Sequence, residues 1–362
     1  MLGNKLFWHG KRVLITGQTG FKGAWLTFWL SELGAEVHGI ALAPSTTPNA
    51  FTALKLAGRC RHHEIDIRDR QKLNTAIAAI DPEICFHMAA QALVRESYKT
   101  PMETYETNVI GTGNVLMALK QGPAIRSIVV ITTDKCYENR EWHWGYRETD
   151  ALGGFDPYSS SKACAEILTA SFRRSYFSAA STSNAHPIGL ASVRAGNVIG
   201  GGDWSTDRLI PDVVRSYRDN SQLEIRYPGA IRPWQHVLSP LSGYVVLAEK
   251  LFVEPARWSE AYNFAPQDED CVSVREILDS FGRAWGKPVG WKQTPASQAH
   301  EAHFLKLDSS KAKADLGWRP RWNLEAALQA TAKWYLGYYE NPEKLVDLTT
   351  EQIRSYCSSD LI

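Results

Sequence analysis

Between Ser127 and Lys162 the chain brings together the groups of proton-transfer chemistry. An apolar run, Ser127-Ile-Val-Val-Ile131, ends in Thr132-Thr133-Asp134-Lys135, and Tyr158 and Lys162 follow, four residues apart. A helix beginning near Tyr158, with Pro157 closing the loop before it, sets the phenol and the ammonium on one face. A hydroxyl, a carboxylate, an amine and a phenol then surround one pocket. Taken alone, the Tyr158 and Lys162 spacing is also that of an ordinary surface pair on a helix. The elements around it decide its meaning.

Those elements begin with Arg12-Val-Leu-Ile-Thr16, a β-branched run that reads as a buried strand. Gly17-Gln-Thr-Gly20-Phe-Lys-Gly23 follows at once. Apolar residues at Phe21, Trp25, Phe28, Trp29 and Leu33, closed by Gly34, then trace an amphipathic helix. Strand, glycine turn and helix in this order suit a dinucleotide. One glycine makes the tight turn, one admits the backbone to a pyrophosphate, and one lets helix and strand pack closely, with the phosphates at the helix N-terminus. The spacing is G-x-x-G-x-x-G, and a structural turn would use the same glycines.

Glu36-Val-His-Gly-Ile-Ala41 reads as a second strand. Its end carries neither the acid that grips a ribose 2′-hydroxyl nor an arginine for a 2′-phosphate, only the hydroxyls of Leu42-Ala-Pro-Ser-Thr-Thr-Pro48. NAD is the preferred cofactor and NADP stays open. A third strand ends in Glu64-Ile-Asp66-Ile67-Arg-Asp69, where a carboxylate can accept from an adenine amino group, or Asp69 can simply cap the next helix. A fourth, over residues 84–90, finishes in Ala89 and Ala90, small enough for a dinucleotide to pass over the sheet edge. His87 reads as a core histidine. Asn108, inside the helical pattern of residues 101–119, reads as a core asparagine holding backbone. That pattern and the helix after Tyr158 have extended apolar faces that bury one another or pair across a dimer.

Farther along, residues 188–194 read as a strand ending near Asn197, and Gly200-Gly-Gly-Asp203 as a mobile turn. Helices are expected over residues 207–217, 239–252, 273–285 and 323–339. The fold class is α/β: a Rossmann-type doubly wound parallel sheet over residues 1–190, then a smaller mixed α/β substrate-binding lobe over 191–362, with some of its segments returning to the first domain.

Composition excludes several functions. Forty lysines and arginines against thirty-nine aspartates and glutamates give a net charge of +1, so no surface of nucleic-acid-binding type is expected. The six cysteines, Cys60, Cys85, Cys136, Cys164, Cys271 and Cys357, contain no C-x-x-C, which argues against a zinc site and a disulfide framework alike. His62 and His63 lack partners at metal spacing, and no metal is expected. With no apolar signal core at the start and no membrane-length apolar run, the chain is expected to be soluble, unprocessed and cytoplasmic.

Gly17-x-x-Gly20-x-x-Gly23, Ala89-Ala90, Thr133-Asp134 and Tyr158-x-x-x-Lys162 together resemble the extended short-chain dehydrogenase/reductase superfamily over most of the chain. Within it, Thr132-Thr-Asp-Lys-Cys-Tyr-Glu-Asn139, Gly153-Gly-Phe-Asp-Pro-Tyr158, the stretch from Arg194 to Trp204 and Arg232-Pro-Trp-Gln-His236 are most similar to the nucleotide-diphosphate-sugar 4,6-dehydratases, the branch taking CDP-glucose above all. The resemblance implies oxidation of the sugar at C4, loss of water across C5 and C6, and return of the hydride to C6. It implies Tyr158 as the base for the C4 hydroxyl, with Lys162 favouring the phenolate, and Thr133 holding that hydroxyl. Asp134 becomes the candidate acid for the C6 oxygen. Lys135, where the dTDP-glucose branch has a glutamate, becomes either the base for the C5 proton or a cation stabilising the enolate.

The same resemblance implies that NAD is held by Gly17, Thr19, Gly20, Phe21, Lys22, Gly23, Asp66, Ile67, Ala89, Ala90, Tyr158 and Lys162. Asn197, Arg208 and Arg232 are implied to bind the sugar-linked diphosphate, for which arginine forks are well matched. Arg208 also reads as a solvated residue at a helix start. The partner is a nucleotide-diphosphate sugar, the assembly a homodimer or higher homo-oligomer, and the product a precursor of deoxysugars for surface polysaccharide. An NAD-dependent epimerase or simple oxidoreductase would need Thr133, Tyr158 and Lys162 but not the Asp134 and Lys135 pair. A silent NAD-binding protein would need none of these.

Overall fold

In β1 (Arg12–Thr16), Val13 and Ile15 enter one apolar cluster and Leu14 another, so the strand is covered on both faces. The later run Ser127–Ile131 behaves alike: Val129 and Ile131 face one cluster, Ile128 and Val130 the other. Continuous apolar runs of this kind belong at the centre of a parallel sheet. The computed structural model describes residues 4–178, 186–295 and 304–359, and in it these runs do occupy the centre.

The strands are β1, β2 (Glu36–Ala41), β3 (Arg61–Glu64), β4 (Ile84–His87), β5 (Ser127–Ile131), β6 (Gly189–Ala195), β7 (Asn197–Ile199), β8 (Leu223–Ile225), β9 (Ile231–His236), β10 (Ala261–Phe264), β11 (Cys271–Ser273) and β12 (Trp291–Gln293). Seven form a parallel sheet in the order β10-β6-β5-β4-β1-β2-β3. The chain reverses direction of travel between β1 and β4, and a ligand crevice opens at the strand ends there. A three-stranded sheet, β11-β9-β7, and a two-stranded one, β12-β8, build the smaller mixed lobe. β10 reaches the main sheet from beyond residue 191, and the helix Leu238–Val253 packs on β5 and β6.

Several boundaries differ from the sequence reading for identifiable reasons. The helix expected from residue 207 begins at Leu209, because Asp207 takes a left-handed φ of 58° and Arg208 stays extended before the first turn. Over residues 101–120 the helix is continuous but widens to a π turn at Glu106–Gly111, which contains Asn108. The third strand stops at Glu64, leaving Asp66 and Ile67 in the turn after it.

The turn over Gly200-Gly-Gly-Asp203, which reads as mobile, is buried. Trp25 Nε1 donates to the Gly201 carbonyl at 2.8 Å, and Trp334 lies so close that a Cβ on Gly201 would stand 2.1 Å from its ring. Trp334 itself is fully buried and donates to Thr349 Oγ1 at 2.9 Å. Tyr335, next to it on the helix Leu324–Glu340, hydrogen-bonds the Asp203 carbonyl. The helix Leu324–Glu340 therefore clamps the turn. Trp334→Ala should cost about 3–5 kcal/mol through the cavity it leaves, seen as an earlier midpoint in chemical unfolding, with Trp285→Ala on the partly buried rim as the milder comparison.

Candidate active site

β1 delivers its chain into the glycine turn at the crevice. Gly17 has φ +76°, and a Cβ there would stand 2.7 Å from the Ala89 nitrogen. A Cβ on Gly23 would lie 2.2 Å from the Gly17 carbonyl oxygen. Only glycine permits this approach of turn, helix and β4 end. Gly20 caps the helix Phe21–Glu32 without a side chain, so its first N–H groups stay open to an anion. Thr19 Oγ1 donates to the Leu42 carbonyl at 2.9 Å, and the Phe21 ring reaches Gly200. His87 is buried between the Thr16 and Thr112 hydroxyls, 2.7 and 2.9 Å away, and burial lowers its pKa to about 3. It is a neutral core histidine under the turn.

The carboxylate after β3 is already engaged. Arg68 Nη2 donates to Asp66 Oδ2 at 2.6 Å, and those hydrogen bonds hold the carboxyl below its usual range. Asp69 caps the helix Arg70–Ile80 by accepting from the Lys72 N–H. Ile67 is buried, and its carbonyl accepts from Asn114 at 3.1 Å.

At the end of β5, Thr133 caps the tight turn Asp134–Cys136. Its hydroxyl donates to Asp134 Oδ1 at 3.0 Å, and Lys135 Nζ reaches the same oxygen at 3.4 Å. The other oxygen, Oδ2, is buried without a hydrogen-bond partner and faces Gly196, where a Cβ would stand 3.2 Å away. An unpartnered carboxylate oxygen in a buried crevice is costly unless a ligand uses it. The Asp134 side chain is 1% exposed and that of Lys135 33%, so the pair runs from the interior to the crevice mouth.

The facing helix, Pro157–Ser175, starts with Pro157 in its first turn, capped by Asp156, which accepts from the Ser159 N–H at 2.9 Å. This start places Tyr158 and Lys162 on the buried face together. The Tyr158 phenol faces the Thr133 side chain, which favours its phenolate, and Lys162 Nζ donates to the Ile131 carbonyl at 3.3 Å. Asn108 locks this helix to the end of β4: it accepts from the Gln91 N–H at 2.9 Å and donates to the Gln91 carbonyl and to Ser161 Oγ. It holds backbone, as its sequence context suggests.

Burial dominates the electrostatics. It raises Tyr158 to about 12, and the largest opposing influences are the Thr133 hydrogen bond and the Arg208 guanidinium. The expected depression of the phenol by Lys162 is thus outweighed in the unliganded chain. Burial lowers Lys162 to about 8, with Glu166 and Cys136 pulling the other way. It also lowers Lys22 to about 7, helped by the charges of Arg208 and Lys162 and opposed by Asp134. Lys22 Nζ donates to the Tyr244 hydroxyl at 3.1 Å.

Arg208 is no free solvated residue. Its Nη1 donates to buried Asp203 Oδ2 at 2.9 Å, and its charge is felt at Tyr158 and Lys22. Asn197 opens β7 opposite Trp234 of β9, two positions after Arg232, whose Nη1 donates to the Ile231 carbonyl at 2.8 Å. The two stand in the three-stranded sheet of the smaller lobe, and among the described contacts Arg208 alone links the substrate set to Tyr158. Sequence reasoning missed the buried ion pair of Glu166 and Arg194, Nη2 to Oε2 2.8 Å, under the same helix. Its signal was an acid four residues after Lys162, on the helix face turned inward.

The sequence profile of the GDP-mannose 4,6 dehydratase family matches residues 14–331. The chain is 52% identical over 356 residues to the CDP-glucose 4,6-dehydratase of Salmonella typhimurium, covering 98% of this chain and 99% of that one. Among solved structures it is similar to a UDP-glucose 4-epimerase from Thermotoga maritima with UDP-glucose, at TM-score 0.77 and 21% identity over 91% of this chain and 99% of that one. It is also similar to DesIV, a dTDP-glucose 4,6-dehydratase from Streptomyces venezuelae with NAD and TYD bound, at TM-score 0.74 and 23% identity over 93% and 99%. At such identities the structural likenesses establish the fold.

The pKa of the buried phenol can be measured directly. The ultraviolet difference titration between the unliganded protein and Tyr158→Phe should show a phenolate step near 12, in place of the ordinary value of about 10. A step at or below the ordinary value would mean that the cations overcome burial without any ligand.

Proposed function

This chain belongs to the GDP-mannose 4,6 dehydratase family, within the extended short-chain dehydrogenases/reductases, and we propose that it is a hydro-lyase converting CDP-D-glucose to CDP-4-dehydro-6-deoxy-D-glucose and water. One observation carries the reading to this chemistry: a redox set, Thr133, Tyr158 and Lys162, adjoins an acid and amine pair, Asp134 and Lys135, whose buried Oδ2 awaits a partner. An epimerase needs the first set and has no use for the second. The near-full-length similarity to a CDP-glucose 4,6-dehydratase supports the choice of sugar nucleotide.

The glycine cradle fits a dinucleotide, since Gly17 and Gly23 let turn, helix and β4 end close on one another while the first N–H groups of the helix, capped by no side chain, stay open to a pyrophosphate. Gly17, Thr19, Gly20, Phe21, Lys22 and Gly23 would hold NAD with Asp66, Ile67, Ala89, Ala90, Tyr158 and Lys162. When bound there, NAD would supply the transient oxidation, as the acceptor of the C4 hydride and its donor to C6. Tyr158 takes the C4 hydroxyl proton while Thr133 fixes that hydroxyl in place. The new C4 carbonyl acidifies C5. Lys135, as the neutral amine, then accepts the C5 proton, Asp134, as the carboxylic acid, gives its Oδ2 proton to the C6 oxygen, and water leaves as the C5–C6 double bond forms. Once C6 has its hydride, a proton returned to C5 completes the product.

Arg208 and Arg232 neutralise the substrate diphosphate and Asn197 hydrogen-bonds it, while Arg208 adds its charge in favour of the Tyr158 phenolate. Residues 1–190 hold the dinucleotide and most of 191–362 the sugar nucleotide. The chain works in the cytoplasm as a homodimer. Apolar side chains left exposed on the helices of residues 101–120 and 157–175, Met102, Ile110 and Ile167, support a second copy as partner. No helix among the described residues is long and apolar enough to cross a membrane.

Purified protein offered CDP-glucose, dTDP-glucose and GDP-mannose separately should release water, read by mass spectrometry, only from CDP-glucose. Product from GDP-mannose alone would overturn the substrate, and isomerisation without dehydration would replace the reaction by epimerisation. In deuterated solvent, Lys135→Ala should lose C5 exchange by about 10²-fold or more while C4 oxidation continues. Exchange at the normal rate would remove Lys135 as the base and leave it as the enolate's counter-charge.

A further inference from the structure

Four residues after Lys162, on the same buried face, Glu166 makes contacts that neither the redox set nor the elimination pair requires. Thr132 Oγ1 donates to Glu166 Oε1, while Ser192 Oγ and Arg194 Nη2 donate to Oε2 at 2.7 and 2.8 Å. Both members of the ion pair are sealed from solvent, with side chains 2% and 3% exposed. Arg194 continues the network to the Tyr137 hydroxyl at 2.6 Å and to the Glu148 carbonyl, and Tyr137 donates to Asn263 Oδ1 at 2.9 Å. One carboxylate thus fastens the helix of Tyr158 and Lys162 to the residue before Thr133 at the end of β5, and to β6 beside it.

We propose that Glu166 is a positioning residue of the redox set: it fixes the helix against the strand end so that Tyr158 meets Thr133, and its charge keeps Lys162 an ammonium. The inference rests on the assignment of Tyr158 and Lys162 as the redox pair.

A purely structural pair would be an uneconomical way to join helix to strand, because two desolvated charges seldom outdo apolar packing of the same volume. The location of the charge explains its retention. Lys162 lies one helical turn from Glu166, within reach of its field. The other titratable groups felt there give no anion at neutral pH. Burial pushes the Cys136 thiol well above its ordinary value, His87 on β4 is neutral, and Lys22 contributes positive charge that disfavours the ammonium. Burial also works against the Glu166 charge, yet Arg194 and the two hydroxyls hold that carboxyl below its ordinary range. Glu166 is the largest influence opposing the burial of Lys162. The sign follows: without the Glu166 charge, Lys162 loses its proton at lower pH.

The test compares wild type, Glu166→Gln, the double variant Glu166→Gln/Arg194→Met, and Tyr158→Phe, with CDP-glucose and saturating NAD. Circular dichroism and thermal unfolding confirm the fold of each. The double variant removes both charges, so no unpaired guanidinium is left in the core. In both Glu166 variants the alkaline limb of the kcat/KM profile should move about one unit toward lower pH. At the wild-type limb, kcat should fall about tenfold with KM little changed. A limb that stays in place in the folded double variant, beside an inactive Tyr158→Phe, would overturn this inference alone. Wild-type turnover by Tyr158→Phe would overturn the redox assignment and this inference with it.

Discussion

A parallel sheet covered on both faces leaves its polar chemistry one place to go. β1, β4 and β5 give their central side chains to the two apolar clusters, so polar groups gather at the strand ends and just past them. Gly17, Ala89 and Thr133 occupy that position on neighbouring strands. Their adjacency follows from pairing in register, since Thr16 lies beside His87 and His87 beside Val130. The site is a consequence of sheet register, and groups distant in sequence meet because the strands carrying them end together.

That placement has an electrostatic cost which the surrounding groups offset. Lys22, Lys162 and Arg208 converge on the crevice near Asp134 and Asp203, and burial opposes the charge of each of the three cations. The unliganded site is therefore rich in under-compensated positive charge. A diphosphate and a dinucleotide pyrophosphate are the anions that would relieve it, and they arrive where helix N–H groups are also open. Ligand binding and tuning of the reactive groups are then one event. Added anions favour the protonated amines, and the amines in turn favour the phenolate of Tyr158.

Much of this was readable from the chain because local rules and tertiary structure agree there. β1, β2 and β5, the glycine turn, and the Pro157 start of the catalytic helix all follow from propensity and period. The failures occur where tertiary packing overrides composition. Gly200-Gly-Gly-Asp203 looks flexible by composition, yet Trp25 and Trp334, distant in sequence, clamp it. Asp207 sits where a helix was expected and takes a left-handed conformation, its carboxylate held by Arg95 at 2.6 Å across the crevice. Glu166 could be seen as an inward-facing acid, but its partners on β5 and β6 exist only in the folded sheet. Burial of the phenol is hidden for the same reason: sequence spacing reveals a neighbouring amine and says nothing of desolvation.

The two oxygens of Asp134 separate the jobs of the site. Oδ1 is taken by the Thr133 hydroxyl and the Lys135 ammonium, which bind the carboxylate to the redox set and to its elimination partner at once. Among the described residues Oδ2 has no hydrogen-bond partner, and it is walled by Gly196, a residue without the bulk to shield it. A carboxylate needed only for structure would have both oxygens satisfied in so dry a place. A general acid needs one oxygen held and one free, because the held oxygen fixes orientation while the free one carries the proton. The same reasoning assigns direction to Lys135: its nitrogen reaches the held oxygen, so the proton that the neutral amine takes from C5 lies one hydrogen bond from the carboxyl group that has just given one away. Acid and base are coupled through Oδ1.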